Sequence, residues 1–284
     1  MVLYPLNTTP HKNKSSLLGG GHTTSRPRAA GSGIPAWEVV ERRQKQSAEA
    51  WWLVAQPDHA ALSGDLAASI SSSHFPKLDS EVLQAITLHD EGWAQFDTAD
   101  DRGSKSQSTS QASSVGVRPL SFLDMSPSVF IRAWKDSIRR AEESSPLGGI
   151  LVGEHFSRLA KNRLQSCIDT FQDMENLRGF LGHEAEQRRR LMHKTGHSED
   201  EIRSLVDVLQ LCDLLSLYLC CGAVEDVEFP QQFQGHTILL RRDGEMCRTD
   251  PPIFGAGVSL GVSARRHPSL EEGLDVITMG FLLA

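Results

Sequence analysis

One stretch constrains this chain more than any other: "SEDEIRSLVDVLQLCDLLSLYLCC", residues 198 to 221. It is the most apolar helical segment in the sequence. Ser198 stands where an N-cap belongs, and the acids after it suit the positive end of a helix. Asp213 interrupts the apolar run. A carboxylate buried alone costs several kcal/mol or takes up a proton to become neutral. A divalent cation removes that cost, because the ion's charge reverses the local pKa logic. An arginine partner such as Arg158 or Arg178 is the other way to bury it, so Asp213 alone does not decide between metal and ion pair.

The remaining pattern predicts a mainly α fold: a helical bundle with a small β-sheet formed by N- and C-terminal strands. Residues 1 to 35 are rich in Ser, Thr, Gly and Pro. They carry Lys12, Lys14, Arg26 and Arg28, and no acid precedes Glu38. Such a segment cannot bury enough apolar surface to offset its ordering cost, so a disordered tail is expected there. Residues 36 to 284 then form a single domain, with a helical core over about 56–222 and a β subdomain over about 223–284. "AWEVVERR" and "WWLVAQ" read as short strands. "DHAALSGDLAASI", opened by Asp58, and "FPKLDSEVLQAITLHD", capped by Asp79 or Ser80, read as the first core helices. Residues 98 to 118 form a low-complexity loop of the kind that serves as a lid. Three helical segments follow, and residues 164 to 194 read as one long charged helix. Beyond Gly222 the period changes to two, with a hairpin signal at "RDGE".

The composition narrows the classes. The chain has 284 residues, 39% hydrophobic and 23% charged, as in a soluble globular protein. A formal net charge of −7 argues against non-specific nucleic-acid binding, which needs a basic face. No run is long and apolar enough for a membrane span. The five cysteines form no CxxC pair, which fits neither a disulfide framework nor a zinc ribbon. A reducing cytoplasm is the expected compartment.

Three further positions join Asp213. His59 lies in the first turn of the first core helix, and His89 and Asp90 end the second. Any one of these histidines is more often a satisfied core residue. All four together, on successive helices, favour a metal.

The order H…HD…D resembles the HD superfamily of metal-dependent phosphohydrolases. The segments "WWLVAQPDHAALSG", "AITLHDEGWAQFD", "GEHFSRLA", "LQLCDLLSLYLCCG" and "FPQQF" together resemble an uncharacterised, mainly bacterial HD-like family catalogued as a domain of unknown function, over roughly residues 38 to 284. The resemblance implies a helical bundle around a divalent ion (Mn, Fe, Zn or Mg; one or two ions). His59, His89, Asp90 and Asp213 match its ligands. His155 and His183 complete an order like that of dinuclear HD proteins, with Glu154, Glu175 and Glu184 as rival carboxylates.

The implied activity is hydrolysis of a phosphate ester, nucleotides included, with Asp90 and His155 as catalytic groups. The alternatives are a di-iron oxygenase acting on a small polyol or phosphonate, and a non-catalytic sensor or interaction module. The expected partner is a small phosphorylated molecule, not nucleic acid or membrane. Gln56, Asp58, Trp93, Lys135 and Arg158 are the candidates for substrate binding. Asp58 has a competing role as a helix cap, and Trp93 with Phe96 has one in packing. Gly92 permits a turn after the His-Asp pair. His193 and His197 are set aside because Thr195 and Gly196 break the helix between them.

Overall fold

The computed structural model describes residues 1–6, 36–46, 48, 50–97, 119–166, 168–244, 246–268 and 276–284. The lid expected at 98 to 118 and Cys167 lie outside the described residues, as does most of the expected tail. The helices are α1 (Ala36–Gln44), α2 (Gln56–Ala68), α3 (Ser80–Leu88), the short α4 (Ala94–Asp97), α5 (Pro127–Ser144), α6 (Pro146–Ser166), α7 (Phe171–Met192) and α8 (Glu199–Cys220). The strands are β1 (Val2–Leu6), β2 (Ala50–Val54), β3 (Val227–Phe233), β4 (His236–Asp243), β5 (Met246–Asp250), β6 (Val258–His267) and β7 (Val276–Leu283).

The expectation of a mainly α bundle is overturned. All seven strands join in one curled, half-barrel sheet of order β1-β2-β6-β7-β5-β4-β3, so the fold is α/β. Every pairing is antiparallel except β5 with β7. The sheet is larger than the sequence suggested for three reasons. β1 lies where a tail was expected: it pairs with β2 from Val2↔Val54 to Leu6↔Ala50, and Val2 and Leu3 are fully buried. β3 alternates buried and exposed residues despite Pro230, which is tolerated because β3 is an edge strand. β7 alternates only near its end, so its period-two signal is weak.

Two helix boundaries also differ from expectation. "AWEVVERR" is helical, with Ala36, Val39, Val40 and Gln44 buried along one face at spacings of three and four. The long helix expected over 164 to 194 is two helices. α6 stops at Ser166, Thr170 caps α7 by accepting from the Asp173 N–H, and Arg163 holds Asp169 in the connection through two bonds of 2.7 Å.

α8 runs through the core. Fourteen of its residues, Ile202 to Cys220, are buried, and it packs on α1, α2, α6 and β3. Each fully buried leucine there contributes on the order of 1.5–3 kcal/mol. Ser198 and Glu201 form a reciprocal capping box that starts the helix where the sequence places it. The middle of this helix meets α2, α3 and α6, and the histidines gather at that junction.

Candidate metal centre

Each polar group at the junction is delivered by a different local device. His59 lies one turn into α2, whose start is set by Pro57 and by Asp97, which accepts the Gln56 N–H at 2.6 Å. Asp58 makes no cap bond and is exposed, so the cap expected of it is supplied by Asp97. His89 is the C-cap of α3, whose first turn is capped by Asp79. Asp90 begins a 3-10 turn, Glu91–Trp93. Gly92 holds this turn against α5: a β-carbon there would lie 2.0 Å from the Ala133 carbonyl oxygen, while its N–H donates to Ser137 Oγ at 2.9 Å. The glycine is therefore required for close backbone approach, not for an unusual φ. Gly64 does the same between α2 and α3, facing Thr87.

The side chains converge. His59 Nε2 lies 3.1 Å from Asp90 Oδ2 and 3.5 Å from Asp213 Oδ1. His89 Nε2 lies 3.8 Å and 3.4 Å from the same two oxygens. Ligands about 2.0–2.2 Å from a tetrahedral ion stand about 3.3–3.6 Å apart, so these separations are the right size for a shared cation. His59, His89 and Asp213 each offer a ligand atom within 4.8 Å of the others, and all three are buried. His155, from α6, completes the ring of imidazoles. Its Nε2 is 3.9 Å from Asp213 Oδ2, and its ring centroid is 5.4 Å from that of His89.

The hydrogen bonds orient both inner imidazoles. His89 Nδ1–H donates to the Ile86 carbonyl at 2.7 Å. Ser216 Oγ–H donates to the His59 carbonyl at 3.1 Å, so its oxygen accepts from His59 Nδ1–H. Each Nε2 then faces the carboxylates and is the nitrogen that could bind a cation once its proton is lost. His89 Nε2 is buried with no hydrogen-bond partner. A buried ring nitrogen left without a hydrogen-bond partner beside two carboxylates fits a site that could exchange its proton for a cation.

Charge tells the same story. Burial opposes protonation of His89, but the charges of Asp90 and Asp213 outweigh it and hold its pKa up at about 9. Burial likewise opposes ionisation of Asp213, yet His89, His155 and His59 bring it down to about 2. Burial dominates at His155 and lowers it to about 4, so it is neutral at pH 7. Without an ion, His89 serves as the counter-cation of the two carboxylates. A divalent ion could take over that role if the His89 proton left.

Other expected site residues fall elsewhere. His183 is 58% exposed on α7 and hydrogen-bonds its neighbour Glu184, away from the cluster. Glu175 pairs with Arg178, and Glu154 with Arg158 and Arg188. Glu184 is buried, but beside Gly153 and His183. Arg158 binds Asp207 and Gln210 and lines a separate groove beside α7, so neither arginine considered as a partner for Asp213 is one. Lys135 is exposed on α5. Gln56 and Trp93, by contrast, are buried and line a cavity that also touches Asp90, His155 and Asp213. Sequence reasoning missed Ser216, three residues after Asp213 on the same face of α8. That spacing was the available signal. It also missed Phe130 and Trp134, whose spacing of four marks one face of α5.

The model of one family, described as a protein of unknown function (DUF3891), matches residues 43–266. The chain belongs to that family. The DUF3891 match takes in all five residues of the junction, from His59 to Asp213. Searches of the curated proteins and of the solved structures found no match. Among the described residues, no helix is long and apolar enough to cross a membrane.

Proposed function

We infer that this chain is a metal-dependent hydrolase of the HD kind acting on a phosphate ester, with His59, His89, Asp90 and Asp213 holding one divalent ion. The convergence of two imidazole Nε2 atoms, each with its Nδ1 tied elsewhere, and two carboxylates in a buried site supports this most. Nitrogen and carboxylate donors suit zinc, iron or manganese better than calcium, which takes an all-oxygen shell. His183 stands too far out on α7 to complete a six-ligand set, which favours one ion over two.

Bound there, a divalent ion supplies Lewis acidity and lowers the pKa of water towards neutrality. The protein residues do the rest. Asp90 lines the cavity, and a carboxylate there can take the proton of the attacking water. His155, neutral at pH 7 and carrying an Nδ1 without a partner, can accept a hydrogen bond from the reacting group. In the reaction the bond from phosphorus to the alcohol oxygen breaks and one from phosphorus to the water oxygen forms. The water proton ends on the departing alcohol.

The test is elemental analysis of the full chain purified without a metal-binding tag, followed by a phosphate-release screen with added manganese, zinc or iron. About one ion per chain and metal-dependent release are expected, both lost in His89→Ala and Asp213→Ala. Absence of any stoichiometric ion, with no release under any metal, would refute the assignment.

A further inference from the structure

The cavity beside the cluster measures about 220 Å³. Asp90, His155 and Asp213, gathered close to one another, form its acidic and imidazole lining. Trp93, Phe130, Trp134, Phe156, Leu214 and Leu217 supply much of its wall. Trp134 stacks on Phe156 with centroids 5.0 Å apart and tilts against Phe130 at 4.5 Å. Two buried side chains that line the cavity carry polar atoms without partners, Gln56 Oε1 and His155 Nδ1. Among the described lining residues Arg163 is the one cation, and Asp169 holds it through two bonds.

These features select against a nucleotide. A sugar or a second phosphate placed among aromatic walls would leave polar groups unpaired, at about 1–3 kcal/mol for each neutral group and more for charged ones. Among the described residues that line the cavity, no uncommitted guanidinium or ammonium meets another phosphate. A dry cavity of about 150 Å³ suffices for benzene. We propose that the cavity seats a single aromatic ring, or a hydrocarbon group of similar size, as the alcohol portion of the substrate. The ester lies beside Asp90 and Asp213, and Gln56 and His155 meet the few polar atoms beside it. The proposal rests on the assignment of the previous subsection for the reacting group, but not for the binding of the ring.

Benzyl alcohol, the product of the simplest such ester, is the probe. Its binding to the full chain is read by saturation-transfer NMR and by tryptophan fluorescence. The wild type should bind it at millimolar concentrations. Leu159→Trp, which fills the cavity, and Leu123→Trp, at its exposed rim, should each weaken binding by about tenfold or more, comparable to a steric misfit of a methylene or larger. Metal content and melting temperature of the rim variant should match the wild type. With metal bound, benzyl phosphate should be hydrolysed at least about tenfold more efficiently than glycerol phosphate, whose leaving group is also an alkoxide. No transfer to benzyl alcohol, equal binding by both variants, or equal hydrolysis of the two esters would overturn the proposal. A missing metal ion would refute the hydrolase assignment alone, because benzyl alcohol binding does not depend on it.

Discussion

His89 is held up at about 9 because Asp90 and Asp213 outweigh the effect of burial. At pH 7 its imidazole is therefore protonated, and metal uptake must displace that proton. Two pH units at 1.36 kcal/mol each make this cost about 2.7 kcal/mol at pH 7. Apparent affinity for zinc should rise about tenfold per pH unit between 7 and 9, with about one proton released per ion. Isothermal titration calorimetry in buffers of different ionisation enthalpy measures both quantities. The metal-free protein carries the mirror image. Because the folded pKa lies above the unfolded one, the stabilisation is complete below about pH 6.5 and disappears as pH rises through about 9, a loss of about 3 kcal/mol. Urea titrations at pH 6.5 and 9, with a chelator present, report it. A flat affinity across pH 6.5 to 8.5 with no proton release would refute the picture of His89 as a displaceable counter-cation.

Three further outcomes follow from the geometry. Ser216→Ala removes the acceptor that fixes the His59 tautomer and should weaken metal affinity by about 10–100-fold with little change in melting temperature, as equilibrium dialysis against a competing chelator would show. Gly92→Ala puts a β-carbon 2.0 Å from the Ala133 carbonyl oxygen; α5 must shift, and a loss of several kcal/mol in chemical denaturation is expected. Asp213→Asn leaves Asp90 as the remaining carboxylate beside His89, so the His89 pKa should fall, which NMR titration of the metal-free imidazoles can follow.

Much of the candidate cluster was legible in the sequence, and much of the fold was not. Asp213 announces itself because a carboxylate inside "VLQLCDLLSLYLC" has no cheap solution without a partner. His59 and the His89–Asp90 pair stand out through their positions at helix ends. The same logic placed His183 with them, because spacing along the chain does not say which face of α7 turns inward. Lys135 and Arg158 drew attention as phosphate ligands for the same insufficient reason: a cation's charge is visible in sequence, but its partner is not.

The sheet was underestimated for a different cause. β1 stands alone before a polar segment, and only pairing with β2 pays for its order. α1 has apolar residues that satisfy either period, so packing decided in favour of a helix.

By itself, then, the sequence determined the local periods: where α8 starts and how apolar it is, the capped start of α3, and which polar residues could not be buried without help. These depend on neighbours within a few residues. Only the tertiary structure decided that His59, His89, Asp90, His155 and Asp213 meet at one point, that Ser216 and Ile86 aim the imidazoles, and that seven strands close into one curled sheet. Those outcomes depend on contacts between distant segments, where small differences in packing energy choose among arrangements that local sequence leaves equal.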